Sequence, residues 1–169
     1  KKEILGGAHR EPAEVHGRLH GARPEPAACP EEGSALLMKV MLDTNICIYI
    51  IKRKPRSVLE RFAASPVGDL GISVITLAEL EYGASKSSEP DRNREALEQF
   101  VSPLEIAVFD RLATSVYGKI RALLEKRGRP IGSMDLLIAA HALSLNVRLI
   151  TNNMREFKRV SGLRVENWA

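Results

Sequence analysis

The chain has 169 residues, enough for one domain or one domain with a tail. Hydrophobic residues make up 44% and charged residues 27% of it. No apolar run reaches the ~18 residues of a membrane-spanning helix. Two cysteines exclude a disulfide framework and a cysteine-rich zinc site, and 25 Lys and Arg against 21 Asp and Glu give only a mild basic excess.

Residues 1–37 differ from the rest. They hold three of the four histidines, four of nine prolines and five of twelve glycines, and no Phe, Tyr or Trp. Neither a helical nor a strand period persists there. Such a stretch lacks the apolar surface that offsets chain entropy, and it lacks the apolar segment of a secretory signal. It is expected to be a disordered or spurious upstream extension, with the folded domain at 38–169. That domain carries 20 basic and 15 acidic residues, a net +5.

In chain order, residues 38–42 (MKVML) form a short apolar strand that stops at Asp43. A helix follows at 44–51. Pro55 can open another, with Val58, Leu59 and Phe62 on one apolar stripe. GISVI at 71–75 is β-branched and reads as a second strand. Thr76 with Glu79 three residues on has the pattern of a capping box. An amphipathic helix is expected at 91–101, a strand at 106–109, and a long helix from Asp110 to about Arg127. After the loop GRPIG, residues 133–145 form a nearly all-apolar helix, with Ser133 as its cap. A strand at 147–150, a helical turn at 154–160 and a short strand at 163–165 complete the chain.

Strands separated by helices predict an α/β fold, a parallel sheet of four to five strands flanked by helices. Ligands of such sheets sit beyond the carboxyl ends of the strands. Four acids fall at those ends: Asp43 in VMLDTN, Glu79 in ITLAELEYG, Asp135 in SMDLLIAAHAL and Glu156 in LITNNMREF. Each has an ordinary role open to it. Asp43 can cap a helix, Glu79 can close the capping box, Asp135 can face a helix dipole, and Glu156 can be solvated. Their coincidence points instead to one cluster. Carboxylates at close range repel unless a cation lies between them, and oxygen-only donors suit Mg²⁺ or Mn²⁺. A cation so held can activate water against a phosphodiester.

The segments VMLDTNICIYI, SVITLAELEYGA, IGSMDLLIAAHAL and ITNNMREF resemble, in order, the motifs of the PIN domain. The nearest likeness is to VapC-type toxins of bacterial toxin–antitoxin pairs, over residues 38–169. The resemblance implies the PIN fold, Mg²⁺- or Mn²⁺-dependent ribonuclease activity, a homodimer, and inhibition by a cognate VapB-type antitoxin. Carried over by motif, Asp43, Glu79 and Asp135 are the metal and catalytic acids. The fourth position, commonly Asp, falls on Asn153, and Glu156 three residues on is the expected compensating acid. Thr44, Asn45 and Thr151 look like supporting polar contacts.

Basic residues near the motifs are the expected RNA contacts: Lys52, Arg53, Lys54 and Arg56, then Arg127 and Arg129, then Arg155, Lys158 and Arg159. The substrate implied by the resemblance is structured RNA, with a tRNA anticodon loop as first guess. Hydrolysis by water would leave 5′-phosphate and 3′-hydroxyl ends. A cytoplasmic setting fits the low cysteine count. His141 and Cys47 read as core residues, and Leu77, Leu80 and Tyr82 as interface or groove positions. Two other readings stay open: a phospho-acceptor receiver domain using Asp110, and a non-catalytic PIN-like module that binds RNA or protein.

Overall fold

A computed structural model describes residues 38–169. The expectation for residues 1–37 lies outside the described residues. Among the described residues, strands are separated by one or two helices, as the sequence predicts. Val40–Leu42 forms β1, Thr44–Ile51 α1, Arg56–Ala64 α2, Leu70–Ser73 β2, Val74–Ser85 α3 and Pro90–Val101 α4. Glu105–Ala107 forms β3, Arg111–Lys126 α5, Ser133–Ser144 α6, Arg148–Ile150 β4, Met154–Phe157 α7 and Val165–Glu166 β5. All strand pairs are parallel, in the order β3-β2-β1-β4-β5.

The period-two alternation of β1 builds two cores. Met41 packs with Leu149, Leu136 and Ile138 on one face of the sheet. Leu42 packs with Ile72, Ile150 and Ile46 on the other. On the first face, α5 buries Ala113, Ile120 and Leu124, while α6 buries Leu136 and every residue from 138 to 142. The second face is covered by α1, α2 and α4 through Ile50, Val58, Leu97 and Phe100. Trp168, near the carboxyl end, closes that core.

Close approach of backbones dictates Gly71 in β2. A Cβ there would sit 2.5 Å from the Glu105 carbonyl oxygen and closer still to Met38 Sδ. Gly71→Ala is therefore expected to lower stability by about 1–3 kcal/mol, as overpacking does. Urea unfolding checks this, through a lower midpoint at unchanged slope.

The sheet has its topological switch point at β1, because the chain runs outward through β2 and β3, then returns to β4 on the other side. The Asp43 amide donates to the Ile150 carbonyl at 2.9 Å, tying the ends of β1 and β4 together there. A crevice at this position is where an open parallel sheet binds its ligand.

Several local expectations are corrected. The second strand ends at Ser73 rather than Ile75, because the Ser73 hydroxyl accepts the Ile75 amide and starts α3 early. Thr76 therefore lies inside α3, fully buried, and forms no capping box with Glu79. Gly132, not Ser133, is the N-cap of α6, which puts Asp135 at its third position. The third strand is Glu105–Ala107, two residues short of the predicted end, and the last strand is Val165–Glu166. Asp110 caps α5 as predicted, accepting the Ala113 amide at 2.8 Å. It follows the edge strand β3 and spends its carboxylate on that cap, so the receiver alternative loses its phospho-acceptor.

Candidate active site at the carboxyl edge of the sheet

Asp43 follows β1 and is nearly fully buried. One carboxylate oxygen accepts the Thr44 amide at 2.9 Å, which caps α1. The other accepts the Thr151 hydroxyl at 2.7 Å. Thr44 then turns its own hydroxyl to Glu79, donating at 2.5 Å. On the opposite side, Thr151 Oγ1 accepts the Asn153 amide at 2.9 Å. The Asn153 carboxamide donates to Asp135 Oδ2, also at 2.9 Å. Glu156 stands beside Asp135 at Gly132 and accepts the Gly132 amide at 2.9 Å.

Glu79, Asp43 and Asp135 thus stand on one hydrogen-bonded line, separated by Thr44, Thr151 and Asn153, and Glu156 stands beside Asp135. Elements α1, α3, α6, α7 and the ends of β1 and β4 each contribute to it. None of the four acids forms an ion pair with Lys or Arg among the described residues.

The electrostatics follow from this crowding. Burial raises the Asp43 pKa, Thr151 and Thr44 partly offset that, and the charge of Glu79 adds to the rise. Asp135 is pushed up to about 7, first by burial, then by the Glu156 side chain beside it and by the charges of Asp43, Glu156 and Glu79. Glu156 moves the other way, below its ordinary value, chiefly because the Gly132 amide stabilises its charge. Arg159 and Arg155 reinforce that.

An excess of carboxylate oxygen held in no ion pair is the donor set of a hard divalent cation. The fit is one of charge and donor type. Among the described residues, no three acidic, histidine or cysteine side chains are already gathered around one point. The relay instead holds each carboxylate by a hydroxyl, amide or carboxamide.

The outlying candidates divide. Asn45 is exposed and makes no side-chain hydrogen bond among the described residues, so the relay passes it by. Lys52 lines a groove with Glu79, while Arg53, Lys54, Arg127, Arg129 and Lys158 are exposed without ion pairs among the described residues. Arg56 is paired with Glu60, and Arg159 donates to the Pro130 carbonyl. Two contacts escape sequence reasoning. The Gly132 amide that holds Glu156 is a backbone group, which no side-chain motif announces. The Asn152 carboxamide donates to the Tyr49 hydroxyl at 2.6 Å, pinning α1 to the loop after β4. Its only signal was an NN pair beside a strand end.

Comparison with known proteins bears on this arrangement. The PIN domain family matches residues 40–163. The chain belongs to the PIN-domain family. Its VapC relatives include the tRNA(fMet)-specific endonuclease VapC of Shigella flexneri, 50% identical over 133 residues. That match covers 79% of this chain and 100% of the relative. Ribonuclease VapC2 of Haemophilus influenzae (strain ATCC 51907 / DSM 11121 / KW20 / Rd) is 48% identical over 132 residues, 78% of this chain and 99% of that one. The PIN domain also superposes on a crystal structure of DNA-bound VapBC from Salmonella typhimurium. The TM-score is 0.75 at 47% identity, over 78% of this chain and 99% of that chain. The parallel α/β sheet predicted from sequence is the PIN fold. No helix among the described residues is long and apolar enough to cross a membrane.

Proposed function

We propose that this PIN domain is an endoribonuclease toxin that cuts tRNA with the help of Mg²⁺ or Mn²⁺ and is silenced by a VapB-type antitoxin. The observation that carries the reading is the group of four acids at the switch point, three of them joined by hydrogen bonds through Thr44, Thr151 and Asn153, and none in an ion pair among the described residues. Initiator tRNA is the first substrate to test, because the Shigella flexneri relative bears that specificity in its name.

Asp43, Glu79 and Asp135 would hold the cation, with Glu156 beside Asp135. When bound, a divalent cation supplies an activated water and neutralises charge on the phosphodiester. The residues of the chain do the rest. Thr151 and Thr44 fix the two oxygens of Asp43. Asn153 orients Asp135. The Gly132 amide keeps Glu156 ionised, so it can take a proton from the attacking water. Water oxygen bonds to phosphorus as the bond to the 3′ oxygen breaks, and the departing 3′ oxygen takes a proton from solvent, leaving 5′-phosphate and 3′-hydroxyl ends. Arg155 on α7 and Lys158 just after it, with Arg53, Lys54, Arg127 and Arg129, offer positive charge to the RNA backbone.

The antitoxin fits the groove of about 340 Å³ lined by Ile48, Ile51, Leu80, Gly83, Lys52 and Glu79. Its floor is apolar and one wall carries an acid of the relay, so a segment seated there would cover the site. A homodimer and a cytoplasmic place of action complete the proposal.

Induced expression of the chain is expected to arrest growth and to leave a single dominant tRNA cut in mapped RNA ends. Co-expression of the cognate antitoxin should restore growth. Growth without arrest, and intact tRNA, would favour a non-catalytic PIN module instead.

A further inference from the structure

The proposed chemistry leaves two buried titratable side chains unused, Cys47 and His141, and His141 alone joins two elements of the site by a side-chain hydrogen bond. His141 lies in α6 with no exposed surface, among Ala139, Ala140 and Ala142. Its Nδ1 is 2.8 Å from Ser73 Oγ. Ser73 ends β2, and the same oxygen accepts the Ile75 amide at 3.0 Å as the N-cap of α3. The hydroxyl proton is free to be donated to His141 Nδ1, and in that tautomer the neutral ring carries its own proton on Nε2. Nε2 makes no hydrogen bond of good geometry among the described residues. Phe109 packs against the ring edge-to-face, with centroids 5.3 Å apart.

Packing alone does not account for this group. The Val108 backbone stands beside the ring, and a buried imidazole with one nitrogen poorly paired is still less favourable than an apolar side chain in the same space. What the imidazole adds is a directional bond between two helices whose remaining contacts are non-directional. No other side-chain hydrogen bond among the described residues joins the β2–α3 junction to α6. The two helices it joins are those that carry acids of the relay. Glu79 lies six residues after Ser73 on α3, and Asp135 six residues before His141 on α6.

We infer that Ser73 and His141 are positioning residues: their buried hydrogen bond sets the placement of α3 against α6, and thereby of Glu79 relative to Asp135. This rests on the cation reading of the site proposed above. Ligand placement of this kind is where supporting hydrogen bonds act on metal affinity.

The test is Mn²⁺ titration by calorimetry into the full chain, with RNA-cleavage kinetics at saturating Mn²⁺ and thermal melting alongside. Ser73→Ala and His141→Leu are expected to weaken Mn²⁺ binding by roughly tenfold or more. They should lower kcat and leave KM for RNA unchanged. Ser73→Thr keeps the hydroxyl, and His141→Asn keeps an acceptor close to the Nδ1 position, so both should restore Mn²⁺ affinity towards wild type. His141→Leu retains the Ser73 cap, which separates the bond from helix capping. A lower melting temperature with wild-type Mn²⁺ affinity and kcat in both disruptive variants would overturn the inference and leave only a structural role. A wild-type chain that binds no Mn²⁺ in the same titration would instead bring down the cation reading itself, and the inference with it.

Discussion

Asp43→Asn is expected to lower RNA cleavage by roughly 10²–10³-fold or more, the loss seen when one preorganised electrostatic partner is removed. The fold should survive it. Asn can still accept the Thr44 amide on its carbonyl oxygen. Its amide can donate to Thr151 Oγ1, reversing the bond that Thr151 now donates. Burial already disfavours the Asp43 charge, so a neutral isostere relieves a penalty in the cation-free protein. The cation-free melting temperature is therefore expected to hold or rise while activity is lost. Melting curves and single-turnover cleavage on one preparation check both halves. A collapse in melting temperature would make Asp43 chiefly structural, and near-wild-type cleavage would remove it from the chemistry.

The second large effect is a pH dependence of cation binding. Asp135 holds its proton up to about pH 7 in the cation-free fold, against an ordinary 3.8. A cation must displace that proton, so affinity should rise by about tenfold per pH unit below 7 and level off above it. The same shift fixes the sign for stability. The unfolded chain gives up this proton near 3.8 and the folded chain near 7. This group therefore erodes the stability of the cation-free fold as pH rises through that window, and a bound cation opposes the loss. Glu156→Gln removes the charge that helps raise Asp135, so the midpoint should move to lower pH. Mn²⁺ titrations from well below to well above pH 7 check this. Affinity that does not vary with pH would show that Asp135 is not a cation ligand.

The alternation of elements was legible because each strand is a short apolar run and each helix keeps its period. The VMLDTN run announced both β1 and the acid that ends it. Boundaries were less legible where two capping residues competed. Ser73 and Thr76 both suit an N-cap, and Ser73 has the role because its hydroxyl accepts the Ile75 amide and starts the helix three residues before Thr76 could. Ser133 lost the α6 cap to Gly132 although it is the better capping residue by chemistry, because the loop reaches its last extended conformation one residue earlier. The acids themselves were recognisable as polar residues at strand ends. Their spacing by Thr44, Thr151 and Asn153 was not, since a hydrogen-bonded relay is a property of side-chain direction and carries no sequence period. The departure at Asn153 gains a physical role in the same way: a carboxamide donates to Asp135, which an ionised Asp at that position would repel.

One measurement bears most directly on the proposed activity. The purified full chain is incubated with total tRNA and Mn²⁺ or Mg²⁺, with and without a chelator, and the chemistry of every new end is determined. The expected result is chelator-sensitive cleavage that leaves 5′-phosphate and 3′-hydroxyl ends. Uncut tRNA in the presence of either cation, or cyclic phosphate ends formed with the chelator present, would contradict it.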